Sequence, residues 1–286
     1  MNNRINLREE RDFSEKLNAT FTFVRQNYKN LGSTLLLFGL PFMIIGMIFL
    51  QYMQRGMQQQ IMDNGGQFTG EYFVSIFISF LVLMFAYIWL AILSIAYIAE
   101  YLNENTDISS GQVFRRAFSN IGKVIGASIF TTIITLIAFV FLFIPGIYVG
   151  VAMSFVVIIM IIEGDPIFEA ISRSFSLIKG KWWSTFGLLF VMGIIVAIMQ
   201  LVFNIPTYIV TFARAFHQDF FTFDAITITT TIFATIGLTL LYPLIFIALA
   251  FQYFNLVERK ENEGLKHEIE QAGKQSTKSP GNEGDF

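Results

Sequence analysis

The sequence contains no cysteine and only two histidines, His217 and His267. Without cysteine the chain has no disulfide, no thiolate metal ligand and no cysteine nucleophile. Two histidines without thiolates are too few for the usual zinc sites. Acid and base catalysis needs positioned carboxylates or imidazoles, and those present lie at the interfaces, beyond the ends of the apolar runs. We therefore predict no catalytic residue, no cofactor and no metal, and we expect that the protein is not an enzyme.

Charged side chains are also scarce, at 14% of 286 residues, whereas hydrophobic residues make up 54%. Soluble domains carry about 25% charged residues, so this composition predicts an integral membrane protein. The formal net charge of −2 argues against nucleic acid as a partner, because binding to phosphates requires an excess of basic residues.

Six uncharged runs are long enough to cross a bilayer, which takes about 20 helical residues. They cover residues 32–53, 72–98, 124–144, 146–162, 183–204 and 226–254. We predict an all-α polytopic membrane protein with six transmembrane helices as three hairpins and with amphipathic interfacial helices on the cytoplasmic side. The expected domains are a cytoplasmic amphipathic segment over 1–30, a transmembrane domain over 31–257 and a largely disordered cytoplasmic tail over 258–286. No run has an ionisable residue at its middle, which disfavours a proton-coupled transporter.

The distribution of lysine and arginine predicts the orientation. If the amino terminus is inside, all but two of the 19 basic residues lie in inside segments, and only Arg55 and Arg214 lie outside. Cytoplasmic segments carry such an excess, so both termini are expected in the cytoplasm. The basic first thirty residues lead into a long apolar run without a small-residue cleavage site, which is unlike a signal peptide.

A charged segment, EGDPIFEAISRSFSLIKGKWW over residues 163–183, separates the fourth and fifth runs. Asp165 before Pro166 is typical of a helix start and Gly180 of a helix stop, so we predict a helix over 166–179. Its large apolar residues recur every three or four positions and form one stripe. They are Phe168, Ile171, Phe175 and Ile178.

The opposite face of this predicted helix is polar and carries Glu169 and Arg173, an i, i+4 pair. Such a helix is expected to lie in the inner membrane surface. Glu163, which precedes the helix, has no local role as a cap or dipole partner. Two hypotheses remain for it: an ion pair with Arg115 or Arg116 of the preceding surface segment, or a carboxylate that points into water.

Each odd-numbered span follows a basic segment in which a phenylalanine lies five or six residues before a lysine. The pairs are Phe23 and Lys29, Phe118 and Lys123, and Phe175 and Lys181. This self-similarity predicts three units, each an interfacial helix followed by a hairpin. The alternative is a general need for basic residues at the cytoplasmic ends of spans.

Small residues at intervals of four predict close approach of helices. They are Gly122 and Gly126 in the third span, and Gly146, Gly150 and Ser154 in the fourth. Pro41 and Pro243 are expected to kink their spans. The threonines of the sixth span are expected to bond to carbonyls of their own helix.

The charged segment also carries a family motif. Its residues are Glu163, Gly164, Glu169, Ala170, Arg173, Ser174, Leu177 and Gly180. With the preceding Pro145 and Gly146 and the aromatic-rich span that follows, it resembles the membrane domain found beside some bacterial glycerophosphoryl diester phosphodiesterases and in related standalone proteins, best over residues 109–204. The candidate site residues are Glu163, Gly164, Asp165, Glu169, Ala170, Arg173, Ser174 and Gly180.

The resemblance implies a membrane architecture and a bacterial inner membrane. It does not imply catalysis, because the tail over 258–286 is too short for the phosphodiesterase barrel, which needs about 250 residues.

Two classes of function remain. The first is a non-enzymatic inner-membrane protein that acts as a scaffold, an accessory subunit or a lipid-interacting module, with membrane lipids or another membrane or cytosolic protein as partner. The alternative is a permease or a lipid-handling transporter, which the two prolines and the threonines of the sixth span favour. A continuous polar cavity between the spans would indicate transport, whereas a closed apolar bundle with surface grooves would indicate binding.

Overall fold

The computed structural model describes residues 4–63, 65, 67–103, 108–141, 143–216 and 224–276, and every regular element in these ranges is helical. The α-helices are α1 (Phe13–Thr34), α2 (Leu40–Asp63), α3 (Gly70–Leu102), α4 (Ser110–Phe141), α5 (Phe143–Ala152), α6 (Val156–Ile162), α7 (Ile167–Ile178), α8 (Trp182–Phe216), α9 (Asp224–Leu241) and α10 (Pro243–Ser276). Within these ranges, six helical stretches are long and apolar enough to cross a membrane. The prediction of an all-α protein with six spans is confirmed.

The helices form three hairpins that lie side by side. α2 packs against α3, α4 against α5, and α8 against α9. The first hairpin contacts the second through α3 and α4, and the third through α2 and α9. α10 runs back between them and is buried at every position from Ile247 to Leu256.

Most of the buried core lies at one end of the bundle, which we call the basal end. It comprises residues 4–34, 86–103, 108–127, 151–196 and 241–261. Every residue from Trp89 to Tyr101 is buried, whereas many large apolar residues earlier in α3 are exposed. An exposed apolar surface is expected where helices face lipid, because lipid tails are as apolar as the side chains.

α1 crosses the basal end and joins the hairpins there. Near its middle Phe23 is fully buried and packs edge-on against Tyr97, Tyr101 and Phe251, with ring centroids 4.8–6.3 Å apart. At its end the Thr34 hydroxyl lies 2.9 Å from the Ser110 hydroxyl at the start of α4. This helix therefore contacts the protein along most of its length.

Three of the predicted spans are irregular. In the first, a π-helical turn over Leu35–Gly39 joins α1 to α2 just before Pro41. In the sixth, α9 ends at Leu241 and α10 begins at Pro243, because proline has no N–H to continue the hydrogen-bond ladder. The sequence predicted only kinks there. In the fourth, a turn over residues 153–155 separates α5 from α6, and nothing in the sequence predicted it.

The small residues differ in what they contact. A Cβ added at Gly146 would lie 2.5 Å from the Phe139 ring, so the predicted close approach is confirmed where α5 packs on α4. A Cβ at Gly122 or Gly126 would meet nothing within 4 Å. The prediction of close packing is therefore wrong for these two glycines, which lie on the open surface of α4 because no described helix covers that face.

Three segments at the basal end precede the hairpins: α1, the first part of α4, and α7. They join their hairpins in different ways. α1 is separated from α2 by the π-helical turn, and α7 from α8 by a turn at Gly180. The second segment has no junction, since α4 is continuous from Ser110 to Phe141. At the carboxyl end, α10 continues to Ser276 through the first part of the predicted tail, and residues 277–286 lie outside the described residues.

Candidate functional surface at the basal end

α7 begins and ends close to the predicted positions. Its N-cap is Pro166, which makes no side-chain capping bond, so the prediction of Asp165 as the cap is wrong. Asp165 lies instead in the turn that follows Gly164, whose φ of +83° favours glycine. At the other end Gly180 has a φ of +77°, which confirms the predicted stop. Glu169 is exposed in the first turn, where a negative charge is favourable next to the helix dipole.

The small residues of the motif place α7 against the protein. Ala170 and Ser174 are fully buried, and the Ser174 hydroxyl donates to the Ala152 carbonyl at 2.5 Å. Small side chains four residues apart let two helices approach closely, and here α7 packs on α6. In the predicted apolar stripe, Phe168 is 71% exposed, whereas Ile178 is buried. The small residues and Ile178 therefore contact the protein, and Phe168 does not.

Glu163 is held by α7 and α10. The Arg173 Nε lies 3.3 Å from each Glu163 carboxylate oxygen, and the Tyr253 hydroxyl donates to the same carboxylate. The proposed pair with Arg115 or Arg116 is wrong, since Arg116 binds Glu100 of α3. The reason is the turn at Gly164, which folds α7 back along α6 and brings Arg173 to the end of α6.

Arg173 also has a different partner from the one its spacing predicted. Its Nη2 lies 3.9 Å from Glu261 of α10, and among the described residues no ion pair joins it to Glu169. Beside it, the Lys260 ammonium donates to the Ser176 hydroxyl. These contacts fasten the end of α6, the middle of α7 and the end of the buried part of α10 to one another.

Among the motif residues, Glu163, Ala170, Arg173 and Ser174 make contacts that dock α7. A family model for the membrane domain of glycerophosphoryl diester phosphodiesterase matches residues 127–279, just over half of the chain. The chain belongs to this family. The match begins at residue 127, within residues 109–204 where the motif resemblance is best, and continues past them to residue 279, so it includes α5 to α10.

The membrane-domain family model describes the membrane part of those phosphodiesterases and not their catalytic part, so the match assigns no catalytic residue here. No curated protein and no solved structure matches the chain significantly.

The main residue whose role the sequence did not predict is Lys16 of α1. It is only 2% exposed, and its ammonium donates to the Gln252 Oε1 at 2.6 Å and lies 3.4 Å from the Ser184 hydroxyl. The Gln252 amide in turn donates to the Thr185 hydroxyl at 3.0 Å. No carboxylate lies within ion-pair distance of Lys16 in the part of the chain that the structure describes.

Two signals in the sequence pointed to this contact. Lys16 shares a helix face with Thr20 and Phe23, four and seven residues later, and all three are buried. Gln252 is an amide within an otherwise apolar run, and such amides form hydrogen bonds between helices in membrane proteins. The partner was not predictable, because α1 and α10 are 236 residues apart at this contact.

Two polar cavities open at the surface of the basal end. One of about 620 Å³ is lined by residues 4–8 together with Tyr101 and Leu102, and the Arg4 guanidinium lies 4.4 Å from the centre of the Tyr101 ring. The other, of about 450 Å³, lies between α3 and α4. It is lined by Glu100, Gln112, Arg115, Arg116, Ser119 and Asn120. Both cavities present guanidinium groups, which bind carboxylates and phosphates.

Proposed function

We propose that this multi-pass membrane protein is a non-enzymatic protein of the bacterial inner membrane that acts by binding, as a scaffold, accessory subunit or lipid-interacting module. The basal end faces the cytoplasm in this proposal, because nearly all lysines and arginines lie in segments at that end or beyond it. Both termini are then cytoplasmic.

The observation that carries the proposal is that the interior is closed around α10. Ten consecutive residues of α10 are buried, and their polar side chains bond to neighbouring segments. Gln252 bonds to α1 and α8, Tyr253 to Glu163 at the end of α6, and Asn255 to the Arg11 N–H before α1. Threonine hydroxyls of α9 also form hydrogen bonds within their own helix: Thr229, Thr235 and Thr239 donate to the carbonyls four residues earlier. A transport path needs a continuous polar cavity across the membrane, whereas the two polar cavities lined by described residues open at the basal surface.

The alternative is a permease or lipid-handling transporter. The interruptions at residues 153–155 and at Tyr242 favour it, because discontinuous spans form substrate sites in many transporters. Both interruptions are packed, however: Phe155 and Val156 are buried at the first, and Leu241 and Leu244 at the second. We therefore favour binding.

The experiment is purification of the full chain from bacterial membranes in a mild detergent, with identification of co-purifying proteins and phospholipids. Binding predicts a protein or a phospholipid class retained at a fixed ratio to the chain and enriched over the membrane average. The same preparation is then reconstituted into liposomes for flux and lipid-exchange assays. Saturable transport without any retained partner would overturn the proposal in favour of the alternative.

A further inference from the structure

The cavity between α3 and α4 contains one guanidinium group that no residue described by the structure neutralises. Arg116 binds the Glu100 carboxylate, so these two charges cancel locally. Arg115 lines the same cavity, is exposed, and has no partner among the described residues. The Gln112 side chain accepts a hydrogen bond from the Ser109 N–H through its oxygen, which leaves its amide N–H groups to donate. The cavity thus offers a positive charge and neutral donors, which suit a phosphate group.

An apolar path leads from this cavity along α4. Ser119 at the cavity wall shares a helix face with Gly122 and Gly126, three and seven residues later. Both glycines are exposed, and the space beside them is open. Ile129 and Ile133 continue the same face and are 42% and 50% exposed.

The length of the path matches one leaflet of a membrane. From Ser119 to Ile133 the helix rises about 21 Å at about 1.5 Å per residue, which is enough to cross one leaflet, about half of the roughly 30 Å hydrocarbon core. Phe118 lies beside the cavity, is 61% exposed and stacks on Phe114 at 5.8 Å. An exposed aromatic residue at this level is typical of the membrane interface.

We infer that this surface of α3 and α4 binds one anionic phospholipid of the adjacent leaflet, with its phosphate at Arg115 and Gln112 and one acyl chain along Gly122 and Gly126. The inference rests on the lipid-interacting form of the proposed function and specifies its site. A charged head next to an apolar groove one leaflet long fits a phospholipid. A second copy of the chain could pack against the glycines. However, the structure shows no anionic group of such a copy that would pair with Arg115.

The test uses the purified full chain in detergent, titrated with phosphatidylglycerol or phosphatidylcholine and measured by native mass spectrometry. Wild type should bind one phosphatidylglycerol in preference to phosphatidylcholine. Arg115→Ala should weaken phosphatidylglycerol binding at least about tenfold, since hydrogen bonds to charged groups are worth more than about 1.4 kcal/mol. Arg25→Ala is the matched control, because Arg25 is exposed on α1 and removes the same charge elsewhere on the basal end. An equal loss in both variants would show diffuse surface charge and overturn the site.

A second pair of measurements examines the acyl path. Gly126→Leu meets open space, so the fold should be retained and only phosphatidylglycerol binding should weaken. Glycerol phosphate, which has the head but no chain, should not displace the lipid at equal concentration. Displacement would make this a site for a soluble anion. A change in oligomer mass in Gly126→Leu with unchanged lipid binding would show that the groove is a contact between copies of the chain. Either this result or displacement by glycerol phosphate would overturn the inference.

Failure of this site is distinguishable from failure of the proposed function. If Arg115→Ala binds phosphatidylglycerol like wild type while the membrane purification still yields a retained protein or phospholipid, the site is wrong and the binding function stands. If the purification yields none and the liposomes show transport, the proposed function itself is wrong.

Discussion

Replacing Gln252 by leucine should destabilise the protein far more than the loss of one ordinary hydrogen bond between helices. The Gln252 amide oxygen is the 2.6 Å acceptor for the buried Lys16 ammonium, and no described carboxylate takes its place. Removing that oxygen leaves a nearly enclosed ammonium with the Ser184 hydroxyl, 3.4 Å away, as its remaining neighbour. An unsatisfied buried charge costs about 3 kcal/mol or more.

The control is Gln200→Leu, the same substitution in α8. The Gln200 amide donates to the Ala234 carbonyl at 2.9 Å, and both groups are neutral. Interhelical hydrogen bonds of this kind average about 0.6 kcal/mol in membrane proteins. In addition, the Gln200 Oε1 is buried without a partner among the described residues, so its removal relieves a cost. We therefore expect Gln252→Leu to lose at least about 2 kcal/mol more than Gln200→Leu.

Combining Lys16→Met with Gln252→Leu provides the decisive comparison. The double variant removes both the charge and its acceptor, and methionine fills a volume similar to the lysine stem, so its stability should return to within about 1 kcal/mol of wild type. The free energy of unfolding is measured by titration with sodium dodecyl sulfate, followed by tryptophan fluorescence. The reasoning is refuted if the double variant is no more stable than Gln252→Leu, or if Gln252→Leu and Gln200→Leu lose the same amount.

Three further predictions follow from the basal contacts and the orientation. Arg173→Lys keeps the charge but loses the bidentate contact with the Glu163 carboxylate at the end of α6. Because Arg173 is 31% exposed, the free energy of unfolding should fall by about 1 kcal/mol or less, measured in the same titration. Ser174→Leu should cost about 1–3 kcal/mol by overpacking the buried contact of Ser174 with Ala152 at the end of α5. Ser172→Leu on the exposed face should be near neutral, and equal losses would contradict the docked orientation of α7. In sealed cells, a cysteine introduced at Gln59 should react with a membrane-impermeant thiol reagent and one at Asn18 should not, and the reverse result would invert the proposed orientation.

The amino-acid sequence by itself determined the membrane class, the six spans and the stop of α7 at Gly180. These properties depend on local composition, because a long uncharged run is stable only in hydrocarbon and a glycine with positive φ stops a helix wherever it occurs. For this reason the spans and the stop at Gly180 were predictable.

The tertiary structure alone decided which groups meet. Glu163 pairs with Arg173 instead of Arg116 because the turn at Gly164 folds α7 back along α6, and no local pattern encodes that direction. Lys16 is buried because α1 crosses α10, although by composition it belongs to a basic surface segment. Gly126 has the same spacing as packed glycines yet faces open space, because packing depends on the neighbouring helix and spacing only permits it.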